Sequence, residues 1–401
     1  MSDDRAEVLI VGGGPAGSAL ASLLARRGHD VLVLEAARFP RDQVCGESVS
    51  PEGWRLVERI GAEERVRALA PGPVRGMHLV APDGTSFTGR YQSERPGFAV
   101  RRVALDEALL AAAQDAGARV VEGARVHDLS FDQGRVAGVV ADVSGEPRRF
   151  VARLVAGADG RRSVVARRLG LHRENEHLRR FAVRGHWENA EGLRETGEMH
   201  VAEGGYCGIA PLSETLANVA FVLDQGEMRG AQGDLEGFYR RTLRWRWPRL
   251  AERLQRARLI EAPRAIGPLA VSCRAVAADG ALLLGDAAGF YDPFTGEGVT
   301  LALRGAELAA TAIGEALAGG GSGPLGRLTS YESARHAATR DKFRFNHRLQ
   351  LAVSWPPAAN AIARRLRRRP ELADRLVGIA GDFVPARSAL GAGFLLDLIT
   401  A

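Results

Sequence analysis

Short unbroken apolar runs punctuate the N-terminal three quarters of the chain, and between them apolar positions recur every three or four residues. Residues 7–11 form an apolar run, followed by glycines and an Ala/Leu-rich stretch over 15–27, then a second run at 31–34. This pattern predicts a strand, a helix and a parallel strand. Residues 105–114 are amphipathic at helical spacing and lead into a strand at 119–121, and residues 129–142 predict a hairpin turning at Gln133-Gly134. Further buried strands are expected at 151–156 and 281–284. Two stretches, 74–100 and 181–268, differ in character: 205–212 and 218–223 alternate apolar and polar positions, as in a half-covered sheet. Helical spacing returns from Tyr331 to the C-terminus, broken at Pro356-Pro357 and Pro370, and the glycine-rich 319–323 stretch predicts a loop.

Composition changes this picture little. The chain has 401 residues, 46% hydrophobic and 25% charged, as expected of a globular enzyme. No apolar run reaches the length of a membrane span. The acidic start has no secretory character, and three scattered cysteines make no disulfide framework; together they lead us to expect a cytoplasmic protein. The net charge of +6 comes almost wholly from arginine, with Lys342 the only lysine. No basic stripe interleaved with aromatics accompanies it, so no nucleic-acid partner is expected. The nine histidines show no metal-ligand spacing, and no metal is expected.

Three segments carry chemistry. In Gly12-Gly13-Gly14-Pro15-Ala16-Gly17 the glycines at 12, 14 and 17 fit a dinucleotide fingerprint: a tight turn, close approach of a pyrophosphate, and close helix packing. The helix start offers free N–H groups and a positive dipole end to phosphates. Glu35, ending the second strand just before Ala36, is placed to accept from ribose hydroxyls. In the second segment an apolar strand ends at Ala158-Asp159-Gly160, and Ser163 opens a helix. In the third, Leu282-Leu283-Leu284-Gly285-Asp286 delivers another aspartate to a turn, followed by Asp292-Pro293-Phe294-Thr295-Gly296-Glu297-Gly298 and a long helix from Val299.

With these three motifs at these separations, the chain resembles the FAD-dependent oxidoreductases built like para-hydroxybenzoate hydroxylase, a group that includes aromatic hydroxylases, geranylgeranyl reductases and flavin halogenases. The resemblance runs from about Val8 to about Ala310. It implies an α/β fold with a Rossmann-like FAD-binding domain of the glutathione reductase-like type, an inserted mixed β-sheet substrate domain and a helical C-terminal tail. The expected division assigns 1–73, 100–180 and 269–330 to the FAD-binding domain, 74–99 and 181–268 to the substrate domain, and 331–401 to the tail. By the same resemblance Arg102 approaches the FAD phosphates, Val126 makes a backbone contact to adenine, and Arg41, Cys45 and Gly46 belong to the cofactor site. Asp159, Gly160, Gly285 and Asp286 hold the cofactor, with Asp286 accepting from a ribityl hydroxyl. Pro293, Gly296, Gly298 and Val299 face its ring end. Only one dinucleotide fingerprint is present, so NAD(P)H is expected to bind transiently on the same surface.

The loop Cys45-Gly46-Glu47-Ser48 resembles both the geranylgeranyl reductases and the halogenases. Cys45 reads either as a group beside the flavin ring or as an inert thiol, and Glu47 either as a general acid or as a partner of backbone N–H groups. The halogenases use a lysine after this loop, and none stands there. The prenyl reductases carry a Tyr-x-Trp-x-Phe-Pro strand; here Tyr206 and Pro211 match, while Gly208 and Ala210 replace the aromatics. Cys45, Glu47, Tyr206 and Glu297 are candidate catalytic residues by location. His336 and His347 read as solvated. The basic amphipathic stretch containing Arg364, Arg365, Arg367, Arg368 and Arg369 fits either a covering helix or a peripheral membrane contact. The reading placed first is an FAD-dependent monooxygenase of an aromatic or polyketide-like small molecule, using NAD(P)H and O2. Next comes a prenyl or quinone side-chain reductase, and after it a halogenase or a non-enzymatic flavoprotein.

Overall fold

A computed structural model describes residues 4–174, 178–319 and 323–391. Its first sheet has eight strands, centred on Arg5–Val11 between the parallel strands Val31–Glu35 and Glu146–Gly157. Arg119–Glu122 extends the sheet beyond Val31–Glu35, and Ala281–Leu283 extends it beyond Glu146–Gly157. Parallel strands are covered on both faces, which explains the unbroken apolar runs. One face of Val8 and Ile10 meets the helices Pro15–Ala25, Arg102–Asp115 and Gly298–Ala318. The opposite face, with Leu9 and Val11, meets the hairpin Ala124–Asp132 and Arg135–Val143. That hairpin turns at Gln133 and Gly134, both with positive φ (47° and 80°), in the sense that suits the twist of the two strands.

The second sheet, also of eight strands, is built around the antiparallel run Arg180–Glu188, Leu216–Asp224, Gly205–Pro211 and Gly197–Ala202. Residues from the earlier stretch, Gly76–Val80 and Ser86–Arg90, complete it at one edge. Cys207, Ile209, Val219 and Phe221 bury one face against the helices Leu235–Arg246 and Pro248–Arg253. The tail forms the helices Thr329–Ser354, Pro356–Arg368 and Pro370–Ala380. Ala363, Leu366, Leu372 and Leu376 bury their side chains with Ala81 and Phe87 of the second sheet, so the apolar face of the basic stretch covers the fold. Arg364 pairs with Asp83 at 2.7 Å. Of the expected 319–323 loop, Gly319 caps the preceding helix, and 320–322 lie outside the described residues. Among the described residues no helix is long and apolar enough to cross a membrane.

Candidate functional site

The first loop is made of backbone. A Cβ on Gly12, whose φ is +102°, would lie 2.6 Å from the Ala158 carbonyl oxygen, and one on Gly17 would lie 1.9 Å from the Gly12 oxygen. Both positions therefore exclude side chains. A Cβ on Gly14 would meet only the Arg41 guanidinium, at 3.5 Å. Pro15 opens the Pro15–Ala25 helix and no side chain caps it, leaving the amides of Ala16 and Gly17 for a ligand. Glu35 accepts from Gly13 N at 2.7 Å and from Ala37 N at 2.9 Å, so it braces the loop, with Ala36 exposed beside it.

Two arginines converge here on one carboxylate. Asp106, fully buried, pairs with Arg41 at 2.8 Å and holds Arg102 in a fork at 2.7 and 2.8 Å. Burial works against the Arg102 charge, but Asp106 and the Cys45 sulfur outweigh it and hold the guanidinium above its ordinary value. Asp106 was not singled out from sequence. Its signal was the four-residue spacing from Arg102, which puts both on one helix face.

The two aspartate turns follow. Asp159 accepts from Val164 N at 2.6 Å and Val165 N at 3.3 Å through one oxygen; its other oxygen is buried without a hydrogen-bond partner. Gly160 turns beside it with φ +74°. Asp286 sits in the short turn Gly285–Ala288. Burial pushes both carboxyls up from their ordinary value, opposed at Asp286 by the charges of Arg161 and Arg102. Val126 lies buried in the hairpin, paired with Ala141.

In the third loop Gly296 N donates to Pro293 O at 2.9 Å, and Gly296 has φ +70° with open space where a Cβ would stand. The Gly298–Ala318 helix again starts without a side-chain cap, with Val299 buried in its first turn. Tyr206 donates to Asp292 at 2.6 Å and packs edge-on against Phe294, so its hydroxyl anchors this loop. Asp292 also accepts from Gln350 at 2.6 Å and Phe294 N at 2.9 Å. Behind the loop, Glu297 is 3% exposed and pairs with Lys342. Lys342 also meets Asp382 at 3.0 Å and donates to the carbonyls of Ile379 and Ala380. Burial pushes the Glu297 carboxyl up to about 8, against the pull of Lys342. His347, read as solvated, bonds the Tyr291 hydroxyl at 2.6 Å through Nδ1 while its ring stays exposed.

Between the loops lies Cys45-Gly46-Glu47. Cys45 is partly exposed and accepts from Glu47 N at 3.3 Å; a Cβ on Gly46 would meet nothing. Glu47, at φ +59° and 1% exposed, points into the protein. It accepts from Arg102 N at 2.8 Å and from Asn218 at 2.9 Å, and meets His186 at 2.6 Å. Of Cys45, Glu47 and Tyr206, only Cys45 is partly exposed; the other two are buried. His186, Asn218 and Glu261 were missed, although Arg184 and His186 are polar at alternate positions of an apolar strand and therefore share a face.

These residues fit FAD. Two uncapped helix starts suit its phosphate and ring ends, two arginines stand at the first, and the orphaned Asp159 oxygen awaits a donor. Comparison with known proteins agrees. The family model described as FAD binding domain matches residues 5–346. A menaquinone reductase of Mycobacterium tuberculosis is 31% identical over 77% of this chain and 76% of the relative. A digeranylgeranylglycerophospholipid reductase of Methanothrix thermoacetophila is 32% identical over 82% of each chain. A solved flavin-dependent brominase superposes with a TM-score of 0.82 at 20% identity, covering 94% of this chain and 93% of the brominase, a likeness of fold. The chain belongs to the FAD binding domain family and is an FAD-dependent oxidoreductase.

Proposed function

We propose that this enzyme is a reductase that saturates a carbon–carbon double bond in the isoprenoid chain of a lipophilic quinone or lipid. The observation that carries the reading is the apolar cluster at the third loop: Met199, Val201, Tyr206, Val222, Leu269 and Phe294, edged by the partly buried Phe290, Leu349 and Val353. The first six are buried and pack on one another, so it is the partly buried Phe290, Leu349 and Val353 that offer an aliphatic chain an apolar edge. The relatives above 30% identity act on a menaquinone and on a digeranylgeranyl lipid, which supports the same substrate class. Bound FAD would supply a two-electron carrier between transiently bound NAD(P)H and the substrate. The chain's own part is to orient the alkene against the Pro293–Gly298 loop, exclude water with the apolar cluster, and present Cys45 at the open side. Leu351 and Trp355, exposed at the turn between two tail helices, suit contact with the membrane that would hold such a substrate.

A second reading, hydroxylation of an aromatic molecule with O2, draws on Gly208 and Ala210. They lie on the Tyr206 face of their strand, and a Cβ on Gly208 would make only ordinary contacts, the nearest to Met199 at 3.6 Å, so that face carries small groups where the prenyl reductases carry aromatics. Halogenation has no comparable support: Lys342 is buried in its pairs with Glu297 and Asp382. The test is anaerobic reduction of the FAD-loaded protein, followed by an isoprenoid quinone in one sample and oxygen with a phenolic ligand in another. Gain of two hydrogens on the isoprenoid chain, read by mass spectrometry, supports the reductase. An unchanged chain together with an oxygenated phenol overturns it.

A further inference from the structure

We infer that His186, with Glu261 outside it and Glu47 inside it, is a proton relay between solvent and the Cys45-Gly46 loop at the cofactor cleft. The ring is fully buried, yet both of its nitrogens meet carboxylates: Nε2 lies 2.6 Å from Glu47 Oε2, and Nδ1 is in short contact with Glu261 Oε1. Arg184 Nη1 also lies 2.6 Å from Nδ1 and donates to Glu261 Oε1 at 2.6 Å. A neutral ring thus accepts from Arg184 at Nδ1 while donating to Glu47, and a charged ring donates to both carboxylates. Each protonation state has its partners, so neither is trapped by a lost hydrogen bond.

The two ends differ in exposure. The Glu261 side chain is 32% exposed, whereas that of Glu47 is 0% exposed. At the inner end, Asn218 Nδ2 ties Glu47 Oε2 to the Cys45 carbonyl (2.9 and 2.8 Å), and open space begins at Gly46. The other charged groups facing the chain are Arg101 on Glu261 at 3.0 Å, Arg102, whose backbone N–H serves Glu47, and Asp42, which joins Arg184 to Arg264. The Arg184–Asp42 pair already fastens the 36–47 loop to the second sheet. A carboxylate–imidazole–carboxylate series adds exchangeable protons to that fastening. In one transfer the Glu261 O–H breaks as Nδ1–H forms, and Nε2–H breaks as a Glu47 O–H forms. One proton moves inward and no electron moves. The inference holds for either reading of the substrate, because two-electron reduction of FAD itself takes up a proton.

The test is solvent exchange of the His186 ring N–H, followed by NMR in FAD-loaded protein carrying 15N-histidine. A relay makes this buried N–H exchange faster than the backbone amides of its own strand, and Glu261→Gln slows it by ~10-fold or more while FAD stays bound. Exchange in the unmodified protein as slow as that of the flanking core amides overturns the inference, even if the variant fails to fold. A folded Glu261→Gln protein with an unchanged rate overturns it equally. His186→Gln should further lower turnover and flatten its pH profile, which the loss of a purely structural contact would not do.

Discussion

At the phosphate end the Gly12–Gly17 loop is held by backbone packed on backbone, whereas at the ring end a Cβ on either glycine of the Pro293–Gly298 loop would meet nothing nearer than 3.6 Å, and a buried charge cluster lies behind the loop. Both lead into a helix start that no side chain caps. The first is fixed by sterics, with Glu35 spent on the amides of Gly13 and Ala37. The second is held by Glu297, Lys342 and Asp382, so its hold depends on charge and on the tail that brings the lysine. The difference suits the two tasks. A pyrophosphate keeps its charge throughout turnover, and a redox ring does not.

That contrast can be broken at either end. Gly17→Ala should have the largest effect: its Cβ cannot coexist with the Gly12 carbonyl, so the purified protein should lose FAD, read as flavin absorbance per chain. Retention of a full complement would show that the first loop is not steric. Lys342→Met leaves the buried Glu297 without its cation and Asp382 with only Arg304, at 3.8 Å, and should cost about 3–5 kcal/mol in urea unfolding. Glu297 sharpens the comparison through pH. Its folded value, about 8, lies above the ordinary 4.5, so its contribution to stability is full below 4.5 and is lost as pH rises through about 8. The unfolding midpoint should therefore fall across that window, and Glu297→Gln should flatten the fall. Gly296→Ala, which puts a side chain at φ +70° in open space, should cost about 1–2 kcal/mol with FAD still bound. Gly298→Ala, in the first helical turn with only Phe290 at 3.6 Å, should be smallest and slightly stabilising, about 0.4–1 kcal/mol in thermal unfolding.

The phosphate end was legible in the sequence because its requirements are local: a glycine is demanded wherever Cβ would strike backbone, and strand and helix periods flank the string. The hairpin at Gln133-Gly134 was legible for the same reason. The ring end was half legible. Its glycines and Asp286 showed, but Lys342 was visible only as a lone lysine in a chain of arginines, with nothing to say that it meets Glu297. The Glu47–His186 contact joins residues 139 apart and the His186–Glu261 contact residues 75 apart, between two loops and a strand whose relative placement no periodicity encodes. Glu47 was drawn from a loop motif. Only the fold turns it inward onto Arg102 N, Asn218 and His186 and leaves Cys45 partly exposed. The basic tail was ambiguous between membrane and protein because an apolar face has the same pattern whatever it covers.

The tail helices bear on solubility as well. Ser86–Arg90 is the outermost strand of the second sheet, and an uncovered outermost strand invites pairing with another copy of the chain. Here Asp374 accepts from the Arg90 N–H at 2.7 Å, and the Ala373 carbonyl oxygen stands 2.5 Å from where a Gly89 Cβ would be. A chain shortened before Pro370 would uncover the Gly89–Arg90 end of that strand, and its first symptom would be association between copies.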